Sequence, residues 1–310
     1  MKIVVTGGAG FIGANLCRRL VDHPGVDDVQ ALDDLSTGFR SNLDGVEAEL
    51  VEGSILDTDL LAKCVTDADA IVHLGARPSV PRSVADPVAS HLANATGTVN
   101  VLEAARAAGG LRVVVASSSS VYGANPTLPK HEDLATRPLR PYAASKLATE
   151  AYALAWQQTY DMPVLALRFF NVFGPLQAAG HAYAAVIPAF VNAALRGAPL
   201  PVHGDGTQGR DFTYVDTVTE VLARSAVDGV EHPTPVNLAF GTRTDLLYVI
   251  ELLEKILGRP LERDHQPTRV GDVKQSQADS SVLLSLFPDL DPVDLEAGLR
   301  RTVEWFQSQS

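Results

Sequence analysis

Six short apolar runs recur in the first 170 residues: KIVV, VQALDD, AELVEG, AIVHLGA, LRVVVASS and VLALRFFNV. They are apolar on successive positions, not alternate ones, which is the pattern of strands buried on both faces. Between them, stretches such as GANLCRRLVDH and TGTVNVLEAARAAG carry helical spacing. Strand–helix–strand repetition predicts an α/β fold with a doubly wound parallel sheet. The pattern loosens after Pro175. GPLQAAGHAYAAVIP is small and irregular, AFVNAALRG reads as a helix, and HGDGTQGRDFTYVD is rich in turns. From about Arg263 a long connection leads to the helical DLEAGLRRTVEWFQ. We therefore expect a sheet domain over 1–175 with parts of 210–262. A smaller C-terminal α/β lobe would take 176–209 and 263–310, interleaved with it in sequence. No solenoid period is present.

Composition narrows the class. Of 310 residues, 46% are hydrophobic and 20% charged, so the chain packs a core. The formal net charge of −12 argues against a broad nucleic-acid surface but leaves room for a local basic pocket that takes a phosphate. No apolar run approaches the roughly 18 residues that a membrane span needs. MKIVVTGGAG breaks into glycine too early for the apolar core of a secretion signal. Cys17 and Cys64 suit neither a disulfide framework nor a zinc site, and both read as small buried residues. A reduced, cytoplasmic setting is expected, with no metal, since no His/Cys/Asp cluster is in view.

The first strand runs into VVTGGAGFIG, which puts Gly7, Gly10 and Gly13 at the turn into a helix, with Phe11 and Ile12 between the last two. The first glycine permits the turn, the second lets backbone approach a pyrophosphate, and the third lets helix and strand pack closely. The helix N-terminus then offers N–H groups to the phosphates. Such a triple alone also fits a purely structural turn. Here Asp33 follows twenty residues after Gly13, at the end of the second strand, where a carboxylate binds the adenosine ribose hydroxyls. An acid there repels a 2′-phosphate, so NAD is expected rather than NADP. Asp34, Ser36, Thr37 and Gly38 of DDLSTG would wrap the ribose.

PYAASKLATE sets Tyr142 and Lys146 four apart, on one face of a helix. A phenol is a poor base near neutrality. A nearby ammonium favours the phenolate, and Tyr142 then becomes a competent base for a sugar hydroxyl. On its own the pair also fits a solvated helix face; behind a dinucleotide fingerprint the catalytic reading is preferred.

TGGAGFIG, DDLSTG, HLGARPSVPRSVADP, SSSSVYG, PYAASK, RFFNVFGP, GDGTQGRDFTYVDT and RVGDVKQS stand in an order that resembles the extended short-chain dehydrogenases/reductases, in their NAD-dependent nucleotide-sugar epimerase and dehydratase branch. The resemblance covers nearly the whole chain and is nearest to the UDP-N-acetylglucosamine/UDP-glucose 4-epimerases. It implies a Rossmann-type domain, an isomerase activity and a UDP-sugar substrate. It also implies a homodimer paired through the helices bearing TVNVLEAARAA and YAASKLATEAYALAWQ. It adds Ile55, Leu74, Gly75, Ala76, Asn94 and Phe169 to the cofactor residues. Many relatives place an acid after the third strand to read adenine, where this chain has Ser54, a weaker partner.

Ser118, three positions before VYG, is implied to complete a triad with Tyr142 and Lys146. In the 4,6-dehydratases the next two positions are typically Asp and Glu, and in the UDP-glucuronate decarboxylases the second is commonly Glu. Here they are Ser119 and Ser120, hydroxyls that cannot do the work of a carboxylic acid. Reversible hydrogen transfer at C4 is what is left. Ser117 is expected to cap or line the strand end.

The same resemblance places Asn171 at the diphosphate or the sugar, and Arg210 and Arg269 as a clamp on the phosphates, where a guanidinium's planar fork suits phosphate. It places Asp272 at the uridine ribose. Ala185 and Val186 fall in a loop similar to that of epimerases that prefer N-acetylated hexosamines, and Ser276 replaces a bulky tyrosine common in those restricted to plain hexoses. Ser79, Val80 and Arg82 of SVPRS, and Gln177, also resemble the hexosamine group, and Ser119 is expected to face the substrate. His203 fits either a stack on uracil or a loop histidine, and Phe169 and Phe170 fit core positions, one of them flanking nicotinamide. The expected activity is interconversion of UDP-GlcNAc and UDP-GalNAc, with UDP-glucose and UDP-galactose as further substrates. UDP-glucuronate 4-epimerases, which share SSSSVYG, form the second reading. A dehydratase and a non-catalytic NAD(H) sensor are the remaining ones.

Overall fold

A computed structural model describes residues 1–179, 184–268 and 274–309. Seven parallel strands form the central sheet. In chain order they are β1 (Lys2–Thr6), β2 (Asp28–Asp33), β3 (Glu49–Glu52), β4 (Ala70–His73), β5 (Arg112–Ser118), β6 (Val164–Phe169) and an edge strand, Val236–Leu238. Their spatial order is edge strand, β6, β5, β4, β1, β2, β3. The order reverses between β1 and β4, so a crevice opens at the strand C-termini there, where ligands bind in such sheets.

The six apolar runs are these first six strands. Ile3 and Val5 point into one core cluster and Val4 into another, as the two-residue period of a strand requires. The first cluster lies under α1 (Phe11–Val21) and the helix Val215–Asp228. On the other face lie α2 (Thr58–Cys64), α5 (Gly97–Ala107) and α6 (Pro141–Tyr160), with the short α3 (Val80–Ala85) and α4 (Pro87–His91) before α5. A π-turn, Leu92–Thr96, joins α4 to α5. Proline at the first turn of α6 costs no hydrogen bond, and the helix ends at Asp161 in the left-handed region. Cys17 and Cys64 are buried, as expected.

The smaller lobe has its own core of Ile187, Phe190, Val202, Phe212, Val249 and Leu299 among others. Its helix Val186–Leu195 packs beside the parallel pair Leu200–His203 and Arg263–Gln266. Segments of the two lobes alternate along the chain. Helix Leu246–Leu257, inside the range shared with the sheet domain, packs in the small lobe. The segment 281–290, expected in the small lobe, buries Leu283, Phe287 and Leu290 in the first cluster with Val236 and Leu238. The reason is the edge strand, whose exposed flank needs apolar cover. The turn-rich GDGTQGRDFTY contributes two short pairings, Gly209–Arg210 with Thr244–Asp245 and Thr213–Tyr214 with Val172–Phe173. No described helix is long and apolar enough to cross a membrane.

Candidate active site

The dinucleotide end is built mostly from backbone. Gly7 turns with φ at 71°, and its N–H donates to Leu32 O at 2.8 Å. A Cβ on Gly13 would lie 2.1 Å from Gly7 O, and one on Gly7 would lie 2.8 Å from Gly75 N, so neither position admits a side chain. Helix α1 starts at Phe11 and Ile12 with Gly10 as N-cap and no side-chain cap, so its first N–H groups face the crevice without a protein acceptor from a capping residue. Asp33, 8% exposed, accepts from Ala9 N at 3.0 Å and Leu35 N at 2.8 Å. Burial raises its pKa, while these N–H donors pull the other way. Gly38 sits so close that a Cβ would meet Asp33 Oδ2 at 3.0 Å. Asp34 accepts from Ser36 N, which fixes the turn that Thr37 continues. This cradle of close backbone, an uncapped helix start and a ribose-level carboxylate fits NAD.

Other expected cofactor residues stand around it in distinct ways. Leu74 N donates to Thr6 O and Gly75 N to Thr6 Oγ1, each at 3.1 Å, which ties the segment leading to Ala76 to β1. Thr6 Oγ1 lies 2.7 Å from His73 Nδ1, and burial pushes His73 down to about 3, so the ring is neutral. Ser54 Oγ accepts from Leu56 N, and Ile55 packs where a Cβ on Gly97 would fall. Asn94 is 1% exposed. Its Oδ1 accepts from Arg77 N at 2.7 Å and its Nδ2 donates to Ser145 Oγ at 2.9 Å. Both ends of that amide are therefore committed to protein, and Asn94 ties the loop after β4 to α6. Phe169 is half-buried at the end of β6, while Phe170 is fully buried core.

The catalytic candidates converge. Ser118 is the last residue of β5, and its Oγ accepts from Ser120 N at 3.2 Å. Burial pushes the Tyr142 phenol up, and a hydrogen bond from Ser118 pulls it back. Lys146 Nζ donates to Ala116 O at 2.8 Å, and burial lowers this ammonium to about 8. The ammonium is expected to lower the phenol, but burial raises it and the opposing pull comes from Ser118. Ser83 Oγ accepts from Tyr142 N at 3.0 Å, so α3 caps α6 from outside it. Ser79 caps α3 in turn, with φ at 96°. Val80 and Arg82 lie on α3, at 37% exposure for Val80. Ser119 opens the short turn after Ser118, and Ser120 Oγ is buried without a partner.

Asn171, Gln177, Ala185, Val186, His203 and Arg210 line one cavity of about 240 Å³ in the small lobe. Asn171 Nδ2 donates to Asp211 O, Gln177 Nε2 donates to Val172 O, and Gln177 Oε1 is left without a partner. His203 Nδ1 lies 3.2 Å from Pro267 O. Ser276 N donates to Gly209 O, which sets it beside Arg210. Arg269 and Asp272 fall outside the described residues. Sequence reasoning missed Gln208, Phe212 and Leu246 in the same wall. Gln208 and Phe212 are the first and last residues of QGRDF itself, whereas Leu246 arrives from a helix with no motif of its own. Ser83 and His73 were missed because their partners lie 59 and 67 residues away. Among the described residues, no cluster suited to a metal ion occurs.

The sequence profile of the NAD dependent epimerase/dehydratase family matches residues 3–239. The chain belongs to that family. The epimerase is 36% identical, over 100% of both chains, to a UDP-glucose 4-epimerase of Mycolicibacterium smegmatis. Its structure is similar to a UDP-N-acetylglucosamine 4-epimerase from Methanobrevibacter ruminantium in complex with UDP-N-acetylmuramic acid. There the TM-score is 0.93 at 36% identity, covering 100% of this chain and 99% of the other. A UDP-glucuronic acid 4-epimerase from Bacillus cereus, in complex with UDP-glucuronic acid and NAD, matches at TM-score 0.91 and 30% identity, covering 100% of each chain. The protein is thus an NAD-dependent isomerase of the UDP-sugar 4-epimerase type, with NAD as its cofactor.

Proposed function

We propose that the substrates are UDP-N-acetylhexosamines, UDP-GlcNAc and UDP-GalNAc, with plain UDP-hexoses as secondary ones. The hydroxyl-only strand end supports epimerisation over dehydration: Ser118 is hydrogen-bonded to Tyr142, and Ser119 and Ser120 follow with no carboxyl group. Elimination of water needs an acid there, whereas epimerisation needs a base, an orienting hydroxyl and the cofactor. The observation that carries the N-acetylhexosamine reading is small Ala185 in the cavity wall, with Ser276 beside Arg210, which together leave room for an acetamido group.

Tyr142, as phenolate, takes the proton of the C4 hydroxyl, and Ser118 orients that hydroxyl. Lys146, charged below about pH 8, supplies the positive field that keeps the phenolate accessible in a buried setting. NAD, which Gly7, Gly10, Gly13 and Asp33 would hold, would supply the reversible hydride chemistry at C4 when bound. Asn171 and Arg210 hold the diphosphate while the 4-keto sugar turns and presents its other face. Tyr142 then returns the proton to the C4 oxygen. Gly7, Gly10, Gly13, Asp33 and the turn Asp34–Gly38 hold the cofactor.

The buried, unpartnered Ser120 hydroxyl supports one second reading, a polar group at C6 as in UDP-glucuronate. Initial rates on UDP-GlcNAc, UDP-glucose and UDP-glucuronate separate the two. The proposal expects kcat/KM highest for UDP-GlcNAc; a preference for UDP-glucuronate of tenfold or more overturns it.

A further inference from the structure

Tyr142 and Lys146 are two members of a longer stripe on α6. Glu150 stands one turn further along at the same spacing and is 3% exposed. Its carboxylate is fully engaged. Arg168 of β6 donates from Nη2 to Oε1 at 2.7 Å and from Nε to Oε2 at 3.0 Å, a two-point fork. Ser117 Oγ donates to Oε2 at 2.7 Å. Arg168 Nη1 continues to Tyr122 Oη at 2.9 Å and Glu132 O at 3.2 Å, and its guanidinium lies 4.7 Å from the Tyr122 ring centre. Tyr122 Oη then donates to Asn237 Oδ1 at 2.7 Å.

The serine run is therefore fastened on both sides of Ser118. Ser117 is tied to Glu150, Tyr122 is tied to Arg168, and Lys146 Nζ holds the carbonyl of Ala116. A buried ion pair is weak support for stability, because removing two charges from water offsets their attraction. What this one supplies is register. Glu150 shares a helix with Tyr142, and Ser117 is the chain neighbour of Ser118. A carboxylate that binds both Arg168 and Ser117 thus locks the strand end to the catalytic helix.

We propose that Glu150 is a positioning residue that, with Arg168 and through Ser117, holds Ser118 in hydrogen-bonding register with Tyr142. The proposal rests on the roles given above to Ser118 and Tyr142. Its consequence is chemical. The Ser118 hydrogen bond lowers the phenol's pKa, so a displaced Ser118 leaves Tyr142 protonated to higher pH. The acid limb of the kcat profile must then move to higher pH.

The test is the pH dependence of kcat for holoenzyme carrying Ser118→Ala, Ser117→Ala, Ser117→Thr or Glu150→Gln. It is paired with an NMR titration of ¹³Cζ-labelled tyrosine, with Tyr142→Phe assigning the signal. Ser118→Ala moves the limb and the Tyr142 titration up by about one pH unit. Ser117→Ala keeps the ion pair and the fold, moves both in the same direction, and lowers kcat by about tenfold with KM nearly unchanged. Ser117→Thr restores the wild-type profile. Glu150→Gln, where it folds, gives at least the shift of Ser117→Ala. If Ser118→Ala moves the limb and Ser117→Ala only lowers the melting temperature, the positioning proposal is wrong. If Ser118→Ala moves neither limb nor titration, the role of Ser118 falls and the proposal falls with it.

Discussion

The two ends of the crevice are made of different materials. The dinucleotide end is a backbone surface, where Gly7 and Gly13 leave no space for a Cβ and Asp33 is held by two main-chain N–H groups. The proposed sugar end is a side-chain surface: Asn171, Ala185 and Arg210 line its cavity, and Ser118 and Tyr142 come from two further segments. Backbone surfaces tolerate almost no change. Side-chain surfaces are exchanged one group at a time, so one fold serves several sugars with a single cofactor.

That contrast orders the expected effects. Gly13→Ala drives a methyl to 2.1 Å from Gly7 O and costs more than about 3 kcal/mol, so the product either fails to fold or retains no NAD. A melting curve with an assay of bound nucleotide reads this directly. Tyr142→Phe leaves the fold and UDP-sugar binding by calorimetry intact but lowers turnover by about 10³-fold. Asp33→Asn keeps size and polarity but loses the charge that favours ribose hydroxyls, and weakens NAD binding by about tenfold to a hundredfold in a fluorescence titration. Ser276→Tyr makes the smallest change. It lowers kcat/KM for UDP-GlcNAc by about tenfold and leaves UDP-glucose nearly unaffected, since a hydrophobic obstruction discriminates by only a few kcal/mol. Equal loss on both sugars would remove Ser276 from the acetamido wall.

The same contrast explains what the sequence made legible. Glycines forced by close contact, and a carboxylate at a strand end, lie within one βαβ unit, so their spacing announces them. Tyr142 and Lys146 share a helix face and are equally plain. The bonds from the Asn94 amide to Arg77 N and Ser145 Oγ span 17 and 51 residues, so no local spacing displays them. Ser83 could not be read as the cap of Tyr142, since a hydrogen bond across 59 residues leaves no periodic trace. The direction of the Tyr142 shift was also hidden: burial of the phenol is a property of the packed site and not of a four-residue spacing. Segment 281–290 joined the large core because an edge strand far away in sequence needed covering.

The central claim is that the sugar is oxidised and re-reduced at C4 with no acid to divert it. The direct test follows UDP-GlcNAc with holoenzyme in D₂O by proton NMR. The account predicts UDP-GalNAc with no deuterium in the sugar carbons, because the hydrogen that leaves C4 returns to it without exchange. Deuterium at C5, loss of water, or no conversion of UDP-GlcNAc by enzyme that turns over UDP-glucuronate would contradict it.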